Sequence, residues 1–410
     1  MKGFGSSRSS RRRPLLVRLL ANTALVITTL VVSILICEVV LRVMHIGYPV
    51  YIWTDPVVGV GHIPGATSAN TFNGQHWISI NQDGMRGPEI PLRAAPNTYR
   101  IALLGDSFIE AFEVPFEQTI GEVIRRRLSA ARGTPVEVLN FGHGGYGTTQ
   151  ELLTLQHKVW KYSPDLVLLA MTTANDISDN YRPLKKTDYV PYHVFKGDQL
   201  VVDSSFLQSK GYQSRAVGTR RFAWLIQHSR LVQLINRVRH NRNKVERQQL
   251  NLDAAPGEEQ GLNQEVGLPP ASPEWKEAWR VTEAILDSMR NECRKKQTPL
   301  AIVTLTRGIQ VTPVSEDKEK FLRELGAKDL YYPERRITEL GKREGIPVLN
   351  LAPPMAEQAE ARKVYFHAHG DSLGIGHWNK EGHEAAGTLV ASWLQREFPP
   401  TTTGNSAVAH

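Results

Sequence analysis

Ser107 closes the stretch Arg100-Ile-Ala-Leu-Leu-Gly-Asp-Ser107-Phe108, and the chemistry open to a hydroxyl there is nucleophilic attack, provided that the fold activates it. Apolar residues followed by glycine, an acid and a serine read as a buried strand that turns sharply into a helix. An open parallel sheet receives ligands beyond the carboxyl ends of its strands, so such a junction is where a nucleophile is presented. Two other turns have the same relation to an apolar run. Asn140-Phe-Gly142-His-Gly144-Gly145-Tyr-Gly147 follows Val136–Asn140, and its glycines let backbone approach a ligand closely. Thr172-Thr-Ala-Asn175-Asp176 follows Asp165–Met171 and sets an amide side chain just past the strand. Taken singly, glycines make turns and Asn-Asp pairs cap helices. Their joint placement beyond three strands is what suggests a site.

The elements that must position these residues follow from periodicity. Short β-branched or leucine-rich runs at 100–104, 136–140, 165–171, 299–305 and 346–351 alternate with helical patterns at 118–128, 149–160, 275–294 and 333–344. Strands alternating with helices imply a parallel sheet covered on both faces, a three-layer α/β/α domain.

With those blocks the chain resembles the SGNH hydrolases, the GDSL esterase superfamily, whose blocks carry Ser, Gly, Asn and His in that order. The matching positions are Gly105-Asp106-Ser107-Phe108, Asn140-x-Gly142-x-x-Gly145, Ala174-Asn175-Asp176 and Gly376-His377-Trp378-Asn379. The resemblance runs from about 82 to 394, is thin between 181 and 273, and is familiar from bacterial membrane-tethered members. It implies a flavodoxin-like fold with strand order 2-1-3-4-5, Ser107 as nucleophile and His377 as its base. It also implies an oxyanion hole from the backbone N–H of Ser107, the backbone N–H of Gly145 and the amide of Asn175. In that order the three relevant strand ends lie side by side at ~4.8 Å spacing, so the donors can converge. Family members carry an Asp two or three residues before the histidine, where this chain has Gly374 and Ile375; Asp371 is the nearest carboxylate for that role. His383 is expected to be a structural residue at a helix start. His367 and His369 beside Asp371 have the look of metal ligands, but nothing else completes a recognisable site, and neither metal nor cofactor is expected.

The N-terminus supplies a location. Leu19–Cys37 is uncharged and mainly apolar, about the ~20 residues that cross a bilayer as a helix, and a basic arm (Lys2, Arg8, Arg11, Arg12, Arg13, Arg18) precedes it. No small-x-small cleavage site follows, and Ile36 before Cys37 excludes a lipoprotein signal. The expected organisation is a cytoplasmic arm (1–18), a transmembrane helix (19–41), a β-rich lead-in (42–98), the hydrolase domain (99–397) with an insertion at about 181–273, and a disordered tail (398–410). By the positive-inside rule the catalytic domain lies outside the cytoplasm. The net charge of +8 is concentrated in the arm and in 215–247 without an aromatic-interleaved motif, so it calls for no nucleic-acid partner. Two cysteines, one inside the apolar run, do not make a structural disulfide. Within the insertion, 222–238 reads as an amphipathic helix with a basic face, packed on the core or laid on anionic headgroups, and 254–272 as a flexible loop.

Three functions fit. The first is a membrane-anchored, extracytoplasmic esterase acting on an acyl or acetyl ester, with envelope glycans as candidate substrates. The second is an O-acetyltransferase of an envelope polysaccharide, and the third a non-catalytic envelope binding or assembly protein.

Overall fold

Five apolar runs pair as one parallel sheet because each is apolar on both faces. In the computed structural model, which describes residues 15–44, 46–47, 51–69, 76–239, 264–369 and 372–400, the chain divides into two units. One comprises residues 1–49 and 224–251, the other 50–223 and 252–410.

The larger unit begins with hairpins β1 (Ile52–Asp55) with β2 (Gly59–His62) and β3 (Thr67–Ala69) with β4 (Trp77–Ser79). The main sheet contains β5 (Tyr99–Gly105), β6 (Val136–Asn140), β7 (Leu166–Met171), β10 (Leu300–Thr304) and β11 (Val348–Asn350); β8 (Tyr192–Lys196) and β9 (Gln199–Asp203) form a hairpin of their own inside the insertion. The sheet order is β11-β10-β7-β5-β6 with every pairing parallel, which is the expected 2-1-3-4-5.

Successive side chains of each strand enter opposite layers. Ile101, Leu103, Val138, Leu168 and Val303 face one side and join Ile120 and Ile124 of α3 (Ile120–Arg132), Met355 of α12 (Ala352–Arg362) and Val390 of α13 (Lys380–Glu397). Ala102, Leu104, Leu139, Leu169 and Ile302 face the other and join Leu152 of α4 (Thr148–Thr154), Trp279 and Ile285 of α9 (Pro273–Lys295) and Ile337 of α11 (Tyr332–Glu344). A strand buried on both faces reads as an uninterrupted apolar run, which is why these strands are legible.

Several expectations change. The helix expected over 149–160 is α4 followed by a π turn, Leu155–Val159, and a 3₁₀ turn, Trp160–Tyr162. Residues 352–376 hold α12 and a hairpin of β12 (His367–His369) with β13 (Ser372–Trp378). His377 therefore stands on a strand. The short elements α2 (Ser107–Glu110), α5 (Asp176–Asp179) and α6 (Arg182–Lys185) sit just past the sheet's carboxyl edge, and α10 (Ser315–Leu325) follows β10.

In the smaller unit α1 (Leu15–Val43) is long and apolar enough to cross a membrane, with mean hydropathy 2.7 over its best window and none of that window buried. The helix expected over 222–238 breaks at Ser229, between α7 (Lys210–His228) and α8 (230–239). Glu38 of α1 explains the break. Its carboxylate accepts from the backbone N–H of Arg230 (3.0 Å) and Leu231 (3.1 Å) and from the Ser229 hydroxyl (3.1 Å), capping the first turn of α8. The arm residues Lys2 to Arg13, the loop segment 254–263, Asp371 and the tail from 401 lie outside the described residues.

Candidate active site

β5 ends at Gly105, and the chain turns at once into the single turn of α2. Asp106 caps that turn by accepting the Phe108 N–H (3.0 Å), which leaves Ser107 as its first residue, half-buried at the sheet edge. At that position the backbone N–H of Ser107 has no acceptor within its own helix. Gly142 lets the neighbouring loop lie against this turn, since a Cβ there would stand 2.5 Å from the Glu110 backbone nitrogen. Asn140 fixes the approach by donating to the Ile109 carbonyl (2.7 Å) and accepting from the Gly142 N–H (2.9 Å).

His377 comes from the far side of the sheet, carried on β13. Its Nε2 lies 2.7 Å from Ser107 Oγ and its Nδ1 2.8 Å from Glu113 Oε1. The third group is thus a glutamate from the segment that follows the serine's own helix. The sequence leaves the orienting group unassigned, with Asp371 one candidate; Glu113 is the group that holds Nδ1. Burial by itself would lower the His377 pKa. The Glu113 hydrogen bond and charge, aided by Asp106 and Glu110, outweigh it and push the imidazole up to about 9. Phe108 packs edge-on against the ring, with centroids 4.9 Å apart.

Glu113 is positioned from outside the sheet. Ala111 ends α2 in the left-handed conformation (φ 54°), reversing the chain before Glu113. Arg86, buried in the lead-in, donates to the carbonyls of Glu110 (2.8 Å), Ala111 and Val114 (2.5 Å), and so fixes the segment on both sides of Glu113. Burial lowers the Arg86 pKa to about 10, against the opposing charges of Glu110, Glu113 and Glu117, and the guanidinium stays charged at neutral pH. The β-rich lead-in supplies this buttress.

Gly145 and Asn175 are the other two residues expected as donors. Gly145 is exposed, with φ of 78°, a conformation that glycine adopts without strain. Lys185 Nζ donates to the Gly145 carbonyl (2.8 Å) and pairs with Asp179 (2.9 Å), which orients the peptide preceded by the Gly145 N–H only indirectly, through that carbonyl. Asn175 is half-buried at the start of α5, and one N–H of its amide reaches Asp106 Oδ2 at 3.3 Å. The other N–H is not needed by that bond.

His367 is buried with Nδ1 2.6 Å from the Gly376 carbonyl and Nε2 2.8 Å from Thr306 Oγ1, so neither ring nitrogen is open to a metal. His383 is fully buried in the first turn of α13 beside Trp378, and burial holds its pKa down at about 3.

Glu113, Arg86 and Lys185 were missed from sequence. Each acts across a long chain separation or through a backbone carbonyl, and neither relation leaves a spacing pattern.

No family model matches this chain, and no curated protein matches it. Solved structures do. They include a lipase/acylhydrolase from Enterococcus faecalis, 14% identical with TM-score 0.35, over 73% of this chain and 96% of that one. An acetyl xylan esterase is 11% identical with TM-score 0.37, over 73% and 99%. A GDSL-like lipase from Bacteroides thetaiotaomicron is 12% identical with TM-score 0.32, over 73% and 88%. At these identities and scores the likenesses assign no role to any residue, and the geometry above has to carry the chemistry.

Proposed function

We propose that the chain is a serine ester hydrolase in which Ser107 is the nucleophile, His377 its base and Glu113 the carboxylate that orients the base. The observation that carries this is the unbroken line Ser107 Oγ, His377, Glu113, at 2.7 and 2.8 Å. Glu113 accepts the Nδ1–H, so neutral His377 presents its Nε2 lone pair to the hydroxyl. Ser107 Oγ attacks the ester carbonyl as its proton passes to Nε2. The oxyanion meets the N–H groups of Ser107 and Gly145 and the Asn175 amide. Collapse of the tetrahedral intermediate expels the alcohol, which takes the proton from Nε2, and leaves the acyl group on Ser107. Water, deprotonated by His377, then releases the acid and restores the serine.

In this reading α1 anchors the enzyme and the hydrolase unit faces away from the cytoplasm, acting on acyl or acetyl esters, with those of envelope glycans as candidates. The open exposure of Gly145 suits a substrate larger than a free small ester. Transfer of the acyl group to a sugar hydroxyl uses the same intermediate, and product analysis with and without a glycan acceptor separates it from hydrolysis.

Fluorophosphonate labelling of the full chain in detergent tests the reading. Wild type is expected to label rapidly, and Ser107→Ala and His377→Ala not at all above background. Labelling of Ser107→Ala at the wild-type rate overturns it. Protease protection in spheroplasts tests the topology, and a protected C-terminal unit contradicts the extracytoplasmic placement.

A further inference from the structure

A second constellation lies next to the first, and none of its side chains is hydrogen-bonded to Ser107 or His377. His62 at the end of β2, Glu110 at the end of α2 and His143 in the loop after β6 are all buried, and one ligand-type atom from each lies within 4.8 Å of the others. These residues come from three separate elements, so the fold, and no local sequence repeat, brings them together.

The hydrogen bonds on the outer side of each ring point to a ligand. His62 Nδ1 lies 2.9 Å from the Gly84 carbonyl, and His143 Nδ1 lies 2.9 Å from the Gly144 carbonyl. A carbonyl accepts only, so each Nδ1 carries a proton, and in the neutral ring the lone pair is on Nε2. Metal-ligating histidines are oriented in this way, with the outer N–H on a carbonyl or carboxylate. His143 Nε2 is buried and has no hydrogen-bond partner among the described residues. A buried acceptor left so has lost its water and gained nothing in return. Its ring is fixed between His62 and Tyr146, with centroids 4.3 and 4.5 Å away.

We propose that His62, Glu110 and His143 form a binding site for a divalent transition metal, zinc by preference. Two imidazoles and one carboxylate are a donor set that zinc takes with a fourth position left for water. Tetrahedral zinc separates its donors by roughly 3.4 Å, so the present spread of at most 4.8 Å closes with shifts of roughly an ångström together with a tilt of the stacked His62 and His143 rings, now 28° apart, that brings both Nε2 lone pairs onto one point. One proton now lies between His62 Nε2 and Glu110 Oε1, 2.7 Å apart, and it leaves as the metal enters. The ion would join the lead-in, the helix of the nucleophile and the loop of Gly145.

The test uses the full-length, tag-free chain in detergent, stripped with chelator and titrated with Zn²⁺ by calorimetry, and with Co²⁺ by visible absorption. One equivalent per chain and a tetrahedral cobalt spectrum are expected. His143→Ala and Glu110→Gln should each weaken binding at least ~10-fold, whereas His157→Ala, at an exposed residue that is not one of the three candidate ligands, should bind as wild type. Circular dichroism checks the fold, and His143→Gln is measured if His143→Ala does not fold. Zn²⁺ should also raise the Tm of wild type and leave that of the His143 variant unmoved. No binding to wild type, or equal binding by the His143 and Glu110 variants, overturns the proposal.

Discussion

Two glutamate–histidine pairs leave the same short segment and end in different environments. Glu113 meets His377 at 2.8 Å, and Glu110 meets His62 at 2.7 Å. In the first pair the histidine's other nitrogen faces a serine hydroxyl at the sheet edge; in the second it faces the carbonyl of Gly84. The pairs are alike as hydrogen bonds. What differs is the group on the far nitrogen, and that decides whether a carboxylate can tune a base or only hold a ring. The left-handed turn at Ala111 sends the two glutamates to opposite partners, and Arg86 keeps the turn closed.

The largest effect expected from breaking this comparison is on rate. Glu113→Gln removes the carboxylate charge and lets an amide N–H face Nδ1, which favours the wrong imidazole tautomer, and should lower kcat toward p-nitrophenyl acetate by about 10³–10⁴-fold. Asn175→Ala removes one of the three proposed oxyanion donors and should cost about 10²–10³-fold in kcat with little change in KM. Arg86→Met strips three buried carbonyls of their donor, and should lower the unfolding free energy by about 2–4 kcal/mol, read by urea denaturation. The smallest effect is a displacement along the pH axis. His377 must be neutral to act as base, so kcat/KM should rise with pH through about 9. Glu113→Gln should move that limb down toward the ordinary ~6.5 of imidazole, and Glu110→Gln, whose charge acts only through space, should move it much less. The same raised pKa stabilises the fold fully below ~6.5, and that contribution is lost as pH climbs through about 9.

The sheet was legible because burial on both faces writes an apolar run, and strand order follows once the βα alternation is seen. Ser107, Gly145 and Asn175 were legible because they lie immediately beyond those runs. The orienting acid was not. Glu110 and Glu113 are near neighbours of similar chemistry, and only the backbone at Ala111, a non-glycine in the left-handed region, distinguishes their directions. His62 and His143 were hidden for a related reason, since neither is near Glu110 in sequence and each is made a candidate ligand by a carbonyl. The break in the basic helix at Ser229 depends on Glu38 of α1, distant in the chain, and no periodicity could disclose it.

The central claim is that Ser107 carries the acyl group. Rapid-quench mass spectrometry after mixing with p-nitrophenyl acetate addresses it most directly. One acetyl group on the peptide containing Ser107, forming faster than it is hydrolysed in wild type and absent from Ser107→Ala, is the predicted result. Turnover with no acetyl group on that peptide, or equal acetylation of Ser107→Ala elsewhere in the chain, would contradict it.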